Sequence, residues 1–219
     1  VTSVIKSALD EGAKLQQSYG GLETIYGEAA GAAREYAAQA AAAGISANTY
    51  AETAVGMGAS RKAAVGGDTT KAVEAANMAI LDMTDNAAKM GTPIESIQNA
   101  YAGFAKGNYT MLDNLKLGYG GTKEEMARLI ADASKMTEVQ KELGITVDGS
   151  SMSFGNIVNA ISVVQKQMGI MGTTSKEASS TISGSVNSMK SAWQNLLTGM
   201  ADDNANFGEL VNNFVDSVL

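Results

Sequence analysis

Between its glycines, this chain repeats one pattern: apolar residues at steps of three and four. Such steps return a side chain to the same face of an α-helix, so the pattern commits the chain to amphipathic helices that must pack on one another. It recurs as Leu22, Ile25, Ala29, Ala32 and Tyr36, then as Val73, Ala76, Ile80, Met83 and Ala87. It continues as Met126, Leu129, Ile130, Ala133 and Met136, and again as Phe154, Ile157, Val158, Ile161, Val164 and Met168. With 24 glycines and a single proline, glycine rather than proline must mark the breaks between segments. No fixed repeat period joins the segments, which argues against a solenoid. The expected fold class is all-α, with amphipathic helices joined by short glycine-marked turns into hairpins or a bundle.

Taken in order, residues 1–18 read as a helix interrupted by Gly20-Gly21, followed by a second helix running into the alanine-rich AAQAAAAG. Gly44 is a stop and Ser46 a cap for a helix reaching about Ala64. Asp68 follows the Gly66-Gly67 turn and caps a helix to Met90, ended by Gly91. Thr92, Pro93 and Glu95 suit a capped helix start, and Thr122 with Glu125 forms a second capping box for a helix over Lys123–Leu143. Residues 145–151 read as a loop, with a short strand or hairpin as the alternative, and Thr174 with Glu177 as a third capping box. The last long helix carries the most regular seam, in which Ile182, Val186, Met189, Trp193, Leu196 and Met200 alternate steps of four and three, as in a coiled coil. A final helix carries Phe207, Leu210, Val211, Phe214 and Val218. By composition the chain divides into an Ala-rich segment (1–65), a core segment with an aromatic block (66–143) and a C-terminal segment with the heptad seam (144–219).

The aromatic block is TPIESIQNAYAGFAKGNYTMLDNLKLGYGGT, residues 92–122. Ile94, Ile97, Tyr101 and Phe104 share a helical face, and Tyr109 and Tyr119 follow after the Gly107-Asn108 break. In a chain that is only 5% aromatic, Tyr101, Phe104, Tyr109 and Tyr119 form a core or a docking patch, and their burial distinguishes the two.

Catalytic chemistry finds little to work with. There is no histidine and no cysteine, which removes the usual general base, thiolate chemistry and ordinary zinc sites. The acid pairs Asp82/Asp85, Glu124/Glu125 and Asp202/Asp203 are read as residues of helix ends and polar faces, where capping and solubility account for them. Gly118–Gly121 lacks the phosphate-loop spacing, and 202–206 lacks the glycine and distal glutamate of a calcium loop. Arg61-Lys62 is read as a solvated turn, and a net charge of -7 argues against binding nucleic-acid phosphates. The uncharged run 149–165 is too short and too polar to span a bilayer. No catalytic, cofactor or metal residue is assigned. Val1 in place of an initiator Met, with an end at Leu219 inside FGELVNNFVDSVL, is expected of an excerpt from a longer chain.

The run SIQNAYAGFAKGNYTMLDNLKLGYGGTKEEM resembles a block of the tail tape-measure proteins of long-tailed bacteriophages and prophages of Gram-positive bacteria. The resemblance includes Gly66-Gly67-Asp68, AANMAILDMTDNAAKMGT and GIMGTTSKEASSTISGSVNSMKSAWQNLLTGMADDN, and so runs from about residue 66 to the end. Residues before Gly66, with their alanine run and Arg61-Lys62, depart from it. It implies an internal piece of a structural protein that sets tail-tube length during assembly and leaves the tube during genome delivery. It also implies a location in the tail lumen after assembly in the host cytoplasm. The implied partners are the tail-tube protein, assembly chaperones, tail-tip or baseplate proteins and further copies of itself, with any host-membrane contact left to other parts of the parent chain. Two other classes stand beside this reading: a helical adaptor docking through the aromatic block, and a peptidoglycan-cleaving domain, which would need two acids facing each other across a cleft.

Overall fold

The computed structural model describes residues 2–40, 45–173 and 195. These are helices and turns with no strand among them, so the fold is all-α. Contacts group the chain into two units, Val1–Val55 with Thr174–Leu219, and Gly56–Thr173. The heptad seam from Ile182 to Met200, the 174–177 capping box and the final helix lie outside the described residues.

In the first unit, α1 (Thr2–Tyr26) leads through a 3₁₀ turn (Gly27–Ala29) into α2 (Ala30–Gln39). Gly20-Gly21 does not interrupt α1, contrary to the sequence expectation. A Cβ on Gly21 would lie 2.9 Å from Val55 Cγ2, so this glycine leaves room for the Val55 side chain to pack against α1. The buried seam is Leu22, Tyr26, Ala30, Ala33 and Ala37, offset from the predicted one. The offset is favourable because the Tyr26 hydroxyl, once inside, donates to the Ala54 carbonyl at 2.7 Å. Ser46 caps α3 (Ala47–Ala64), its Oγ accepting from the Thr49 amide at 3.2 Å, and the Ala47 amide donates to Asn195 Oδ1 at 2.9 Å.

The second unit takes the end of α3 and adds α4 (Thr69–Met90), α5 (Ile94–Ala105), a 3₁₀ turn (Leu112–Leu115), α6 (Lys123–Lys135), α7 (Thr137–Leu143) and α8 (Phe154–Gln167). Asp68 caps α4 by accepting from the Lys71 amide, and Gly91 ends it in the left-handed region at φ 66°. Thr92 does not cap α5; its hydroxyl donates instead to the Asn114 carbonyl at 3.2 Å, and Pro93 takes the cap position. The expected helix over Lys123–Leu143 is two helices broken at Met136. Gln140 explains the break, because its Nε2 donates to the Ala133 and Ser134 carbonyls and its Oε1 accepts the Val147 amide. One side chain thus satisfies two carbonyls that a continuous helix would pair internally and one amide beyond the helix end. The same bond ties down the 145–151 loop, whose Val147 is buried. Asn156 bonds the Asp148 amide and the Asp148 and Ser151 carbonyls as well, so the loop is pinned along its length.

The helix α8 sits at the centre of this unit and packs against α4, α5, α6 and α7. Ile157, Val158 and every residue from Ala160 to Gln165 are buried, so the helix is enclosed nearly all round rather than amphipathic. Met168, expected on its apolar face, lies beyond its last turn and is 44% exposed. Its β-branched residues have modest helix propensity, so burial rather than propensity holds this helix.

Candidate functional site

The structure divides the aromatic block. Tyr101 and Phe104 are buried, their rings 5.8 Å apart and tilted by 41°. Tyr109 is half-buried and stacks on Phe104 at 6.4 Å; Tyr119 is also half-buried. The four side chains are therefore not exposed together. Tyr119 is tied to α6, since its hydroxyl donates to Asp132 Oδ2 at 3.0 Å and the Arg128 guanidinium lies 4.3 Å over its ring. Arg128 also donates to both Glu125 oxygens and to the Gly118 carbonyl, while Glu125 accepts the Gly120 amide at 3.0 Å. The Arg128 hydrogen bonds, then the Gly120 amide, hold the Glu125 carboxyl down at about 2. Thr122 caps α6 as expected, but the Glu125 carboxylate reaches back to Gly120 rather than to Thr122.

The loop between α5 and α6 is fastened to the core from several directions. Leu112, Leu115 and Leu117 are buried, and Lys116, at φ 53°, extends its ammonium to the Met90 carbonyl at 2.9 Å. A cation there meets the negative end of α4. The polypeptide also approaches itself so closely that a Cβ on Gly121 would lie 2.3 Å from the Thr110 carbonyl oxygen.

A buried polar seam between α4 and α8 is the chemically distinctive feature, and reasoning from sequence alone missed it. Asp82 and Asp85 lie in the interior of α4 and are 0% and 7% exposed, not on a polar face. Arg61, expected in a solvated turn, is 2% exposed and donates to the Gly155 carbonyl at 3.2 Å and the Ala75 carbonyl at 3.1 Å. Along α4, which packs against α5, α8 and the 112–115 turn, Asp82, Asp85 and Asn86 are buried as well as Ile80 and Met83. Asn86 Nδ2 donates to the Leu115 carbonyl at 3.0 Å and to Gln165 Oε1 at 2.7 Å; Gln165 Nε2 in turn donates to the Asp82 carbonyl at 3.3 Å. This chain of bonds joins the aromatic-block loop, α8 and α4. Asp85 accepts the Gly172 amide at 2.6 Å and so fixes the turn after α8. A signal was present in sequence: Ser162 and Gln165 are polar residues three apart, set among Ile161, Val163 and Val164, a spacing that aims both at one neighbour.

At the centre, Ser162 Oγ bonds Asp82 Oδ2 and lies 3.1 Å from the Val158 carbonyl. Asp82 Oδ1 and the Tyr101 hydroxyl, both buried, have no hydrogen-bond partner among the described residues. Burial pushes the Asp82 carboxyl up to about 7; the Ser162 bond opposes this, Asp85 adds to it and Arg61 opposes it. Burial also raises the Tyr101 phenol well above its ordinary range, with a further push from Asp82. Both acids of the seam are buried among the described residues. Among the described residues no cluster could hold a metal ion, and no helix is long and apolar enough to cross a membrane. Comparison of the chain with protein-family models, curated proteins and solved structures finds no match.

Proposed function

We propose that this chain is a piece of a phage tail tape-measure protein, acting in assembly rather than catalysis. The observation that carries the reading is the resemblance running from about residue 66 onward, with NLKLGYGG at its centre. The all-helical architecture is what that resemblance implies. The partners are then the tail-tube protein, assembly chaperones, tail-tip or baseplate proteins and other copies of the chain, in the lumen of a tail assembled in the bacterial cytoplasm. Complete enclosure of Asp82 weighs against a peptidoglycan-cleaving role, because no substrate reaches it.

The second unit bears on how such a protein measures. As one straight helix, about 120 residues would span roughly 180 Å. Folded as a domain, the same length has a radius of gyration of about 13 Å. On this reading Gly56–Thr173 is a folded body carried by the tape, and the ruler lies elsewhere in the parent chain.

In-frame deletion of 56–173 from the parent gene, with negative-stain measurement of tails and mass spectrometry of purified tails, tests the proposal. Expected are tails that carry the chain and are shortened by no more than the width of one domain, or that fail to assemble. Shortening near 180 Å would overturn the folded-body reading while retaining the tape. Unchanged tails lacking the chain would overturn the whole proposal. Unchanged tails with the chain confined to the tip would replace it with the adaptor reading.

A further inference from the structure

We infer that Asp82 and Ser162 form a proton-operated fastener between α4 and α8, complete when Asp82 carries a proton and weakened when that proton leaves. The inference rests on the packing of the second unit and is independent of the tape-measure proposal.

The geometry of the Ser162 hydroxyl carries the argument. A serine hydroxyl has one proton to donate and two lone pairs to accept with. Ser162 Oγ lies within bonding reach of two oxygens, Asp82 Oδ2 and the Val158 carbonyl. With Asp82 ionised, both neighbours are acceptors and a single proton must serve them. With Asp82 protonated, the acid donates to Ser162 Oγ and Ser162 donates to the Val158 carbonyl, so both contacts are satisfied. The other carboxyl oxygen leads to the same conclusion. Asp82 Oδ1 is buried with no hydrogen-bond partner among the described residues, which is costly for an ion and much cheaper for a neutral acid.

Among the described residues, no charged side chain forms a hydrogen bond or ion pair with Asp82. From the end of α3, Arg61 favours the ionised form, but it donates to the Gly155 and Ala75 carbonyls. Asp85, on α4 itself, opposes ionisation. From α5 comes the neutral Tyr101 hydroxyl, and α8 presents Ser162 and Gln165. Lys166, the charged residue of α8's last turn, pairs with Glu142 on α7 at 2.8 Å. The 3₁₀ turn brings the Leu115 carbonyl to Asn86, while its Asp113 is exposed. The chain has no histidine and no cysteine, so a proton step near neutrality has no imidazole or thiol to belong to.

The sign follows from linkage. A carboxyl raised on folding is protonated in the folded state at a pH where the unfolded chain has lost the proton. Its contribution is fully present below the ordinary aspartate range, is lost as pH rises toward about 7, and changes no further above that. The second unit therefore loosens as pH rises from the ordinary aspartate range toward neutrality.

The test follows the Asp82 carboxyl by ¹³C NMR in the full 219-residue chain, assigned through its own Cβ, together with thermal unfolding of wild type and Asp82→Asn. Expected is a carboxyl midpoint near 7, and a wild-type Tm that falls by about 5–10 °C from pH 5.5 to 8 while the variant's changes far less. A midpoint below about 5, the ordinary aspartate range, would overturn the inference, as would parallel loss of Tm in both proteins. Should Asp82→Asn fail to fold, the wild-type titration decides alone.

Discussion

Gly121→Ala is the most demanding single-atom test of this fold. The added Cβ would lie 2.3 Å from the Thr110 carbonyl oxygen and 3.0 Å from its carbon, where ordinary contact begins near 3.4 Å. Both strands of this contact are backbone, so no side-chain rotation relieves it, and the loop must open by about 1 Å. That opening pulls on Leu112 and Leu115, both fully buried. Overpacking of this kind costs about 1–3 kcal/mol, and the immobility of the carbonyl places the cost near the top of that range. A domain of this size has roughly 5–15 kcal/mol of stability, so the loss should lower Tm by about 10 °C. The neighbouring glycine is the internal control. A Cβ on Gly120 would meet Glu125 Cγ at 3.6 Å, an ordinary contact, so Gly120→Ala should leave Tm unchanged or slightly raised. Thermal unfolding by circular dichroism, with hydrogen exchange at Leu112–Leu117, reads both effects. Should Gly121→Ala melt within about 2 °C of Gly120→Ala, the close approach of the two backbones is wrong.

Two further substitutions probe the bonds that fasten the loop. Asn86→Ala removes two hydrogen bonds and leaves the buried Leu115 carbonyl and Gln165 Oε1 unpaired, an expected loss of about 3 kcal/mol in urea unfolding; a loss under 1 kcal/mol, at the low end for such groups, would refute the role given to this residue. The Glu125 carboxyl is held low by Arg128 and the Gly120 amide, so its contribution is present above the ordinary glutamate range and is lost as pH falls through about 2. Glu125→Gln should therefore flatten the fall in Tm between pH 5 and 2, and an unchanged acid limb would show that the Arg128 network does not couple to folding.

Much of the fold was legible because helix ends are local. Asp68, Ser46 and Thr122 act as caps where the sequence puts them, and Gly91 and Gly144 end their helices in the left-handed region. What was not legible depends on partners far along the chain. The break at Met136 depends on Gln140 reaching both back to Ala133 and forward to Val147. Thr92 forgoes its cap because Asn114 offers a carbonyl. Asp82 and Arg61 were read as solvated because charged residues usually are. Only the arrival of α8 covers Asp82, whereas Arg61 needs the carbonyls of Gly155 and Ala75. The periodicity of 154–168 was found, but periodicity reports one buried face and is silent about a helix enclosed on every side.

The central position of α8 also fixes an order of events during synthesis. Ser162 follows Asp82 by 80 residues, and Gln165 follows Asn86 by 79. At roughly 5–20 residues per second, translation separates those partners by about 4–16 s. Throughout that interval α4, α5, α6 and α7 emerge without the helix they are built around. The nascent second unit is a set of helices without their axis, and the bonds between α4 and α8 form only once the last of its helices leaves the ribosome.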